Sequence, residues 1–132
     1  MEVRRARTRP GLFLGVSALL FSTVGALTVS PAAAAAPRPL SASGCSNSVC
    51  IDIQGSGSTV TDWQTTAWAS TYIGTQADFW VNSVLQRQGN IQCAASGTEL
   101  ESDWKNASFP NGTVLCNTWP GIPGKPCETI ES

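Results

Sequence analysis

Residues 75–89 read TQADFWVNSVLQRQG, and two periodicities compete for them. Wound as a helix, Ala77, Trp80, Val81, Val84 and Leu85 fall on one face. Thr75 with Asp78 then resembles a capping box, with Asp in place of Glu or Gln, and Gly89 stops the helix. Extended as a strand, Phe79, Val81 and Leu85 line one face, with Ser83 as a gap. Periodicity alone favours the helix by a small margin. If it forms, at about residues 76–88, the fold is α+β; if not, the chain is all-β.

Everything around this segment reads as strands and turns. Val49, Ile51 and Ile53 alternate with Cys50 and Asp52 in SVCIDIQ. GSGS at residues 55–58 turns the chain into TVTDWQTTAW, whose Thr and Trp suit a pleated, half-buried surface. Short strands follow at NIQCA, at residues 98–104, at NGTVLCNTW and at CETIES. Turn signals recur every eight to twelve residues or so, the rhythm of a sandwich or small barrel.

The first forty residues have a different character. Arg4, Arg5, Arg7 and Arg9 precede an apolar run over residues 12–29 and an alanine tract at 32–36. That order predicts a secretory signal peptide over residues 1–35, cleaved after Ala34 or Ala35. A membrane anchor would use the same run, but the short basic lead and the small-residue tract favour removal. Residues 36–44, rich in Pro and Ser, read as a loose mature N-terminus, and residues 45–132 as one domain.

From residue 36 onward, four basic side chains face eight acidic ones, a net charge of −4. There is no basic patch to hold nucleic acid and no cationic face for a membrane surface. The chain has no histidine, which removes Ser-His-Asp and Cys-His nucleophile activation and the common zinc sites. It has no phosphate-binding glycine loop either. No catalytic residues, cofactor or metal are expected. Glu99, Glu101 and Asp103 alternate and would share a strand face, but calcium needs more oxygens and a rigid turn, so a solvated face is the expectation.

The five cysteines all lie in the exported part, where cysteines usually pair. Cys116 and Cys127 fit neighbouring strands joined by a loop, and Cys45 and Cys50 fit a short hairpin. Cys93 is then left over, read as a buried inert thiol on the face it shares with Ile91, with a disulfide-linked dimer as the rival. No C-x-x-C pair is present to suggest a metal.

The feature that most invites a functional reading is residues 109–130, FPNGTVLCNTWPGIPGKPCETI. A disulfide across the base of this Pro/Gly loop staples the last strand to its neighbour, and that structural role alone is the favoured reading; the second reading adds display of Trp119, Ile122 and Lys125 on a preorganised surface, with Trp119 the tryptophan expected to be exposed. Trp63 and Trp80 are assigned to the core; Trp104 is a further binding candidate and Trp68 is left open.

VCIDIQGSG, the paired tryptophans of residues 63–68, FWVN and above all this C-terminal stretch resemble a group of small exported, uncharacterised actinobacterial proteins. The resemblance implies an all-β, immunoglobulin-like sandwich stapled by disulfides, with FWVN on a strand, and it brings no activity with it. The function expected is a secreted, non-catalytic binding or structural domain directed at cell-wall or extracellular polysaccharide or at a protein. The alternative is an extracellular protease inhibitor or antagonistic effector presenting the rigid loop.

Overall fold

The computed structural model describes residues 36 and 38–131; the signal peptide expected over residues 1–35 lies outside them. The described chain is all-β, and every strand pair is antiparallel. One sheet holds β1 (Pro39–Ser46), β2 (Val49–Ser56), β3 (Thr59–Trp68) and β8 (Glu99–Ser108), in the order β1-β2-β3-β8. The second holds β5 (Asp78–Val81), β6 (Val84–Gln88), β9 (Val114–Thr118) and β10 (Cys127–Thr129), in the order β10-β9-β5-β6. Two short strands, β4 (Ile73–Thr75) and β7 (Gln92–Ala94), pair with each other alone.

The alternative helix at 76–88 does not form, and the all-β reading holds. Asn82 and Ser83 both take positive φ, 48° and 67°, and close a two-residue hairpin between β5 and β6. Two successive positive φ values match the right-handed twist of the flanking strands, which a helix could not accommodate. Asn82 also clamps the next strand: its N–H donates to the Val114 carbonyl at 2.9 Å, and its Oδ1 accepts from the Val114 N–H at 2.9 Å. The segment is therefore two strands, and the single long strand read from Phe79, Val81 and Leu85 is corrected as well.

The expected loose tail is also corrected. From Pro39 on it is β1, paired with β2 from Pro39↔Ser56 to Ser46↔Val49. Ser and Pro hid a strand that needs only one inward anchor, Leu40, which is buried.

β2 buries Val49, Ile51 and Ile53 and turns Cys50, Asp52 and Gln54 outward, as period-two alternation requires. β3 breaks that period. Gly55 pairs with Val60 and Gln54 with Asp62, so Thr61 is an extra, bulged residue. Its hydroxyl donates to the Gln54 carbonyl at 3.1 Å. The bulge lets Val60 and Trp63, three apart in sequence, point into the same core. Gly55 is required opposite it, because a Cβ there would collide with the Thr59 carbonyl.

The core between the sheets is built on aromatic rings. Phe79 meets the buried Trp63 edge-on at 5.0 Å, Trp104 stacks on it at 5.5 Å, and Phe109 closes the group at 5.9 Å. Trp63 donates from Nε1 to Asn117 Oδ1 at 2.7 Å, and Asn117 donates from Nδ2 to the Asp78 carbonyl at 3.3 Å. Trp119 donates from Nε1 to Thr65 Oγ1 at 3.1 Å, and Thr65 donates onward to the Cys50 carbonyl at 2.9 Å. Both buried indole N–H groups thus have partners across the layers, which removes the penalty of burying them.

The disulfides are Cys45–Cys50 and Cys116–Cys127. Each joins directly opposite residues of neighbouring strands, β1 with β2 and β9 with β10, so each lies within one sheet. In the chain-entropy picture the shorter loop contributes about 2 kcal/mol and the longer about 3 kcal/mol.

Candidate functional site

The clasped loop is the first place to test. Trp119, Pro120, Gly121 and Ile122 form a tight turn in which the Ile122 N–H donates to the Trp119 carbonyl at 2.9 Å and Gly121 has φ 84°. Pro then Gly at the two central positions is the sequence of a type II turn. The turn sends both flanking side chains to the protein side: Trp119 is 1% exposed and Ile122 7%. The expectation that Trp119 stands in solvent is overturned, and Ile122 is not displayed either. Their place is the core, where the Trp119 indole finds Thr65.

The remaining expected contacts are scattered. Lys125 is exposed, but its Nζ lies 4.8 Å from the centre of the Trp80 ring on the outer face of the second sheet. Trp80 itself is only half-buried, and its Nε1 donates to Thr118 Oγ1 at 2.8 Å. Trp104 is half-buried in the aromatic cluster, with the Arg87 guanidinium 5.7 Å from its ring centre. Thus Trp119, Ile122, Lys125 and Trp104 are not brought together into one site. Trp68, left open by the sequence, is exposed at the end of β3.

Glu99, Glu101 and Asp103 do share the outward face of β8, across from Trp68, Thr66 and Gln64. Asp103 pairs with Lys105 at 3.4 Å, and both side chains are solvated, so the pair contributes little. Among the described residues no cluster of acids and cysteines is arranged to hold a metal ion.

What the loop does instead is brace β4 and β7. Thr75 donates from Oγ1 to the Pro120 carbonyl at 2.7 Å. Ile73 packs so closely on Gly121 that a side chain there would strike it. The connection before β4 is fixed from the other side. The Gly97 N–H donates to the Ala69 carbonyl at 2.7 Å, and Ser96 Oγ donates to the Ser70 carbonyl at 2.7 Å.

On this braced base stands an exposed apolar face. Gly74 pairs with Cys93, and Tyr72 and Ile91 stand just outside β4 and β7, two residues from that pair at its opposite ends. Tyr72 is 78% exposed and Ile91 74%, the two most open large apolar side chains of the described chain. At the Ile91 end a shallow depression of about 220 Å³ is lined by Gly74, Thr75, Gln76, Ile91 and Pro120. Cys93 is an exposed free thiol. The reading of it as buried is corrected: Ile91 and Cys93 do share a face, but Ala94 takes the inward side and leaves them the outer one.

Sequence reasoning passed over Tyr72 and treated Ile91 as core. The signal available was the short spacing of YIGT and NIQCA around glycines, too small a pair of strands to bury both faces. No family model matches the chain, and comparisons with curated proteins and with solved structures find no match.

Proposed function

We propose that the chain is an exported, non-catalytic binding domain whose contact surface is the outer face of β4 and β7. The observation that carries this reading is the exposure of Tyr72 and Ile91, each about three-quarters open, at the two ends of the short β4–β7 ladder with Gly74 and Cys93 between them. A lone exposed apolar side chain is ordinary, but two large ones held by one short ladder resemble the anchors of an interface. The tyrosine ring suits stacking on a sugar as well as packing against a protein.

Two disulfides fit an oxidising compartment, and the basic, apolar and alanine-rich lead supports export. Among the described residues no helix is long and apolar enough to cross a membrane. The two packed antiparallel sheets support an immunoglobulin-like architecture, here with both disulfides inside sheets rather than between them. Membership of the exported actinobacterial group is part of the same proposal.

The test is co-sedimentation of the purified protein with cell walls and insoluble polysaccharides, beside a Tyr72→Ala variant. The expected result is a roughly tenfold loss of bound protein in the variant, the size of one lost aromatic anchor. Equal retention of both proteins would sink the platform as the contact surface. The rival reading, an extracellular protease inhibitor, has lost its two apolar loop contacts, Trp119 and Ile122, to the core. Stoichiometric inhibition of a secreted protease would restore it.

A further inference from the structure

A β-sandwich has open strand edges, and proteins guard them with charges, bulges, proline or cover. Three of the four outer edges here carry such guards. β6 is bulged at Gln86, which has no partner between Phe79↔Arg87 and Trp80↔Leu85. β8 is rich in charge, its Glu101 carbonyl accepts from Gln92 Nε2 at 2.7 Å, and Asn106 bends it with φ 57°. β10 is only three residues long and follows Pro126.

β1 is different. Its eight residues, PLSASGCS, carry no charge, and its register with β2 runs without a bulge. The two-residue turn after Ser46 makes Ser46↔Val49 a hydrogen-bonded pair, so the alternate pairs at Cys45, Ser43 and Ser41 are not. The main-chain groups of those three residues therefore point away from β2. Pro39 occupies the same outward register, where its missing N–H costs the β1–β2 ladder nothing. Along this edge runs a groove of about 480 Å³, lined by Pro39, Ser41 and Ala42 on one side and Glu128, Thr129 and Glu131 on the other. The Glu128 carboxylate lies against β1 where Gly44 has no side chain: a Cβ at Gly44 would be 2.7 Å from Oε1. Among the described residues no ion pair engages Glu128 or Glu131.

We propose that the β1 edge takes an extended, basic segment of a partner protein as an added antiparallel strand. Ser41, Ser43 and Cys45 would supply main-chain hydrogen bonds, and Glu128 and Glu131 would receive basic side chains. Charge decides between this partner and a second copy of the chain. A copy would bring its own Glu128 and Glu131 to the same groove, and each copy already carries a net charge of −4 from residue 36 on. This surface is independent of the β4–β7 face.

The test uses the purified exported protein and a fluorescent peptide of four Lys-Val repeats, followed by anisotropy at low salt. Controls are the Glu-Val counterpart and a fully N-methylated Lys-Val peptide, which keeps its charge but cannot pair as a strand. The expected result is binding of the Lys-Val peptide alone, weakened about tenfold by Ser43→Pro and about fivefold by Glu128→Gln. Ser43→Pro should leave the melting temperature nearly unchanged, because the Ser43 N–H takes no part in the ladder with β2. Equal binding of the N-methylated peptide would overturn the proposal in favour of simple charge attraction. Absence of peptide binding, with a concentration-dependent dimer abolished by Ser43→Pro, would overturn it in favour of pairing between two copies. If Ser43→Pro fails to fold, the N-methylated peptide still decides the matter.

Discussion

The loop at residues 119–126 and the strand pair β4–β7 lie against each other, and their sequences advertise opposite roles. The loop has Trp, Pro and Gly in the density that marks a displayed surface, yet it turns its Trp119 and Ile122 inward. The strand pair has no such mark, yet it holds Tyr72 and Ile91 out in solvent. The difference is one of direction. A turn type fixes which way its flanking side chains point, whereas the abundance of Pro and Gly says only that the chain turns. Trp-Pro-Gly-Ile is a type II sequence, and that is the level at which its inward direction was readable.

The largest expected effect tests the contrast directly. Trp119→Ala should lower stability by about 4 kcal/mol, through a large cavity and the loss of the bond to Thr65. Tyr72→Ala should change stability by less than about 0.5 kcal/mol, as an exposed side chain does. Urea denaturation of both variants checks this, and similar midpoints would break the comparison. Next, converting Cys116 and Cys127 together to Ala should cost about 3 kcal/mol by the same measurement. That variant sharpens the contrast, since the clasp stabilises the loop without touching the exposed face. A smaller loss than either of these is expected for Gly121→Ala, about 1–2 kcal/mol, because φ is 84° and Ile73 occupies the space. If the loop braces β4, amide exchange in Ile73–Thr75 should quicken in this variant more than in β2.

Much of the sandwich was legible where the pattern was local. Val49, Ile51 and Ile53 announced β2 by alternation, and residues 59–68 announced β3 by composition. The hairpin at Asn82-Ser83 was not, because Asn-Ser signals a two-residue turn far less strongly than Asn-Gly, and the residues around it also satisfy a helical period. The extra residue at Thr61 shifts parity midway along β3, which no simple alternation shows. β1 was missed because serine and proline suit a tail as well as an edge strand. Cys93 was read with the right parity and the wrong side, since alternation pairs residues on a face without saying which face meets the core. The outer face of β4 and β7 was illegible for the same reason.

The two indole hydrogen bonds between the sheets form a reciprocal set. Trp63 on β3 reaches Asn117 on β9, and Trp119 just beyond β9 reaches back to Thr65 on β3. Apolar layers can slide over one another at little cost, because one aliphatic contact replaces another. Two polar pins of opposite direction, two residues apart on each strand, cannot both be kept after a slip. They act against shear as dowels do in joinery, and set the alignment of one sheet on the other to a single position. The disulfides, each confined to one sheet, have no part in that alignment. Reduction would therefore loosen the hairpins while the two layers stay in step.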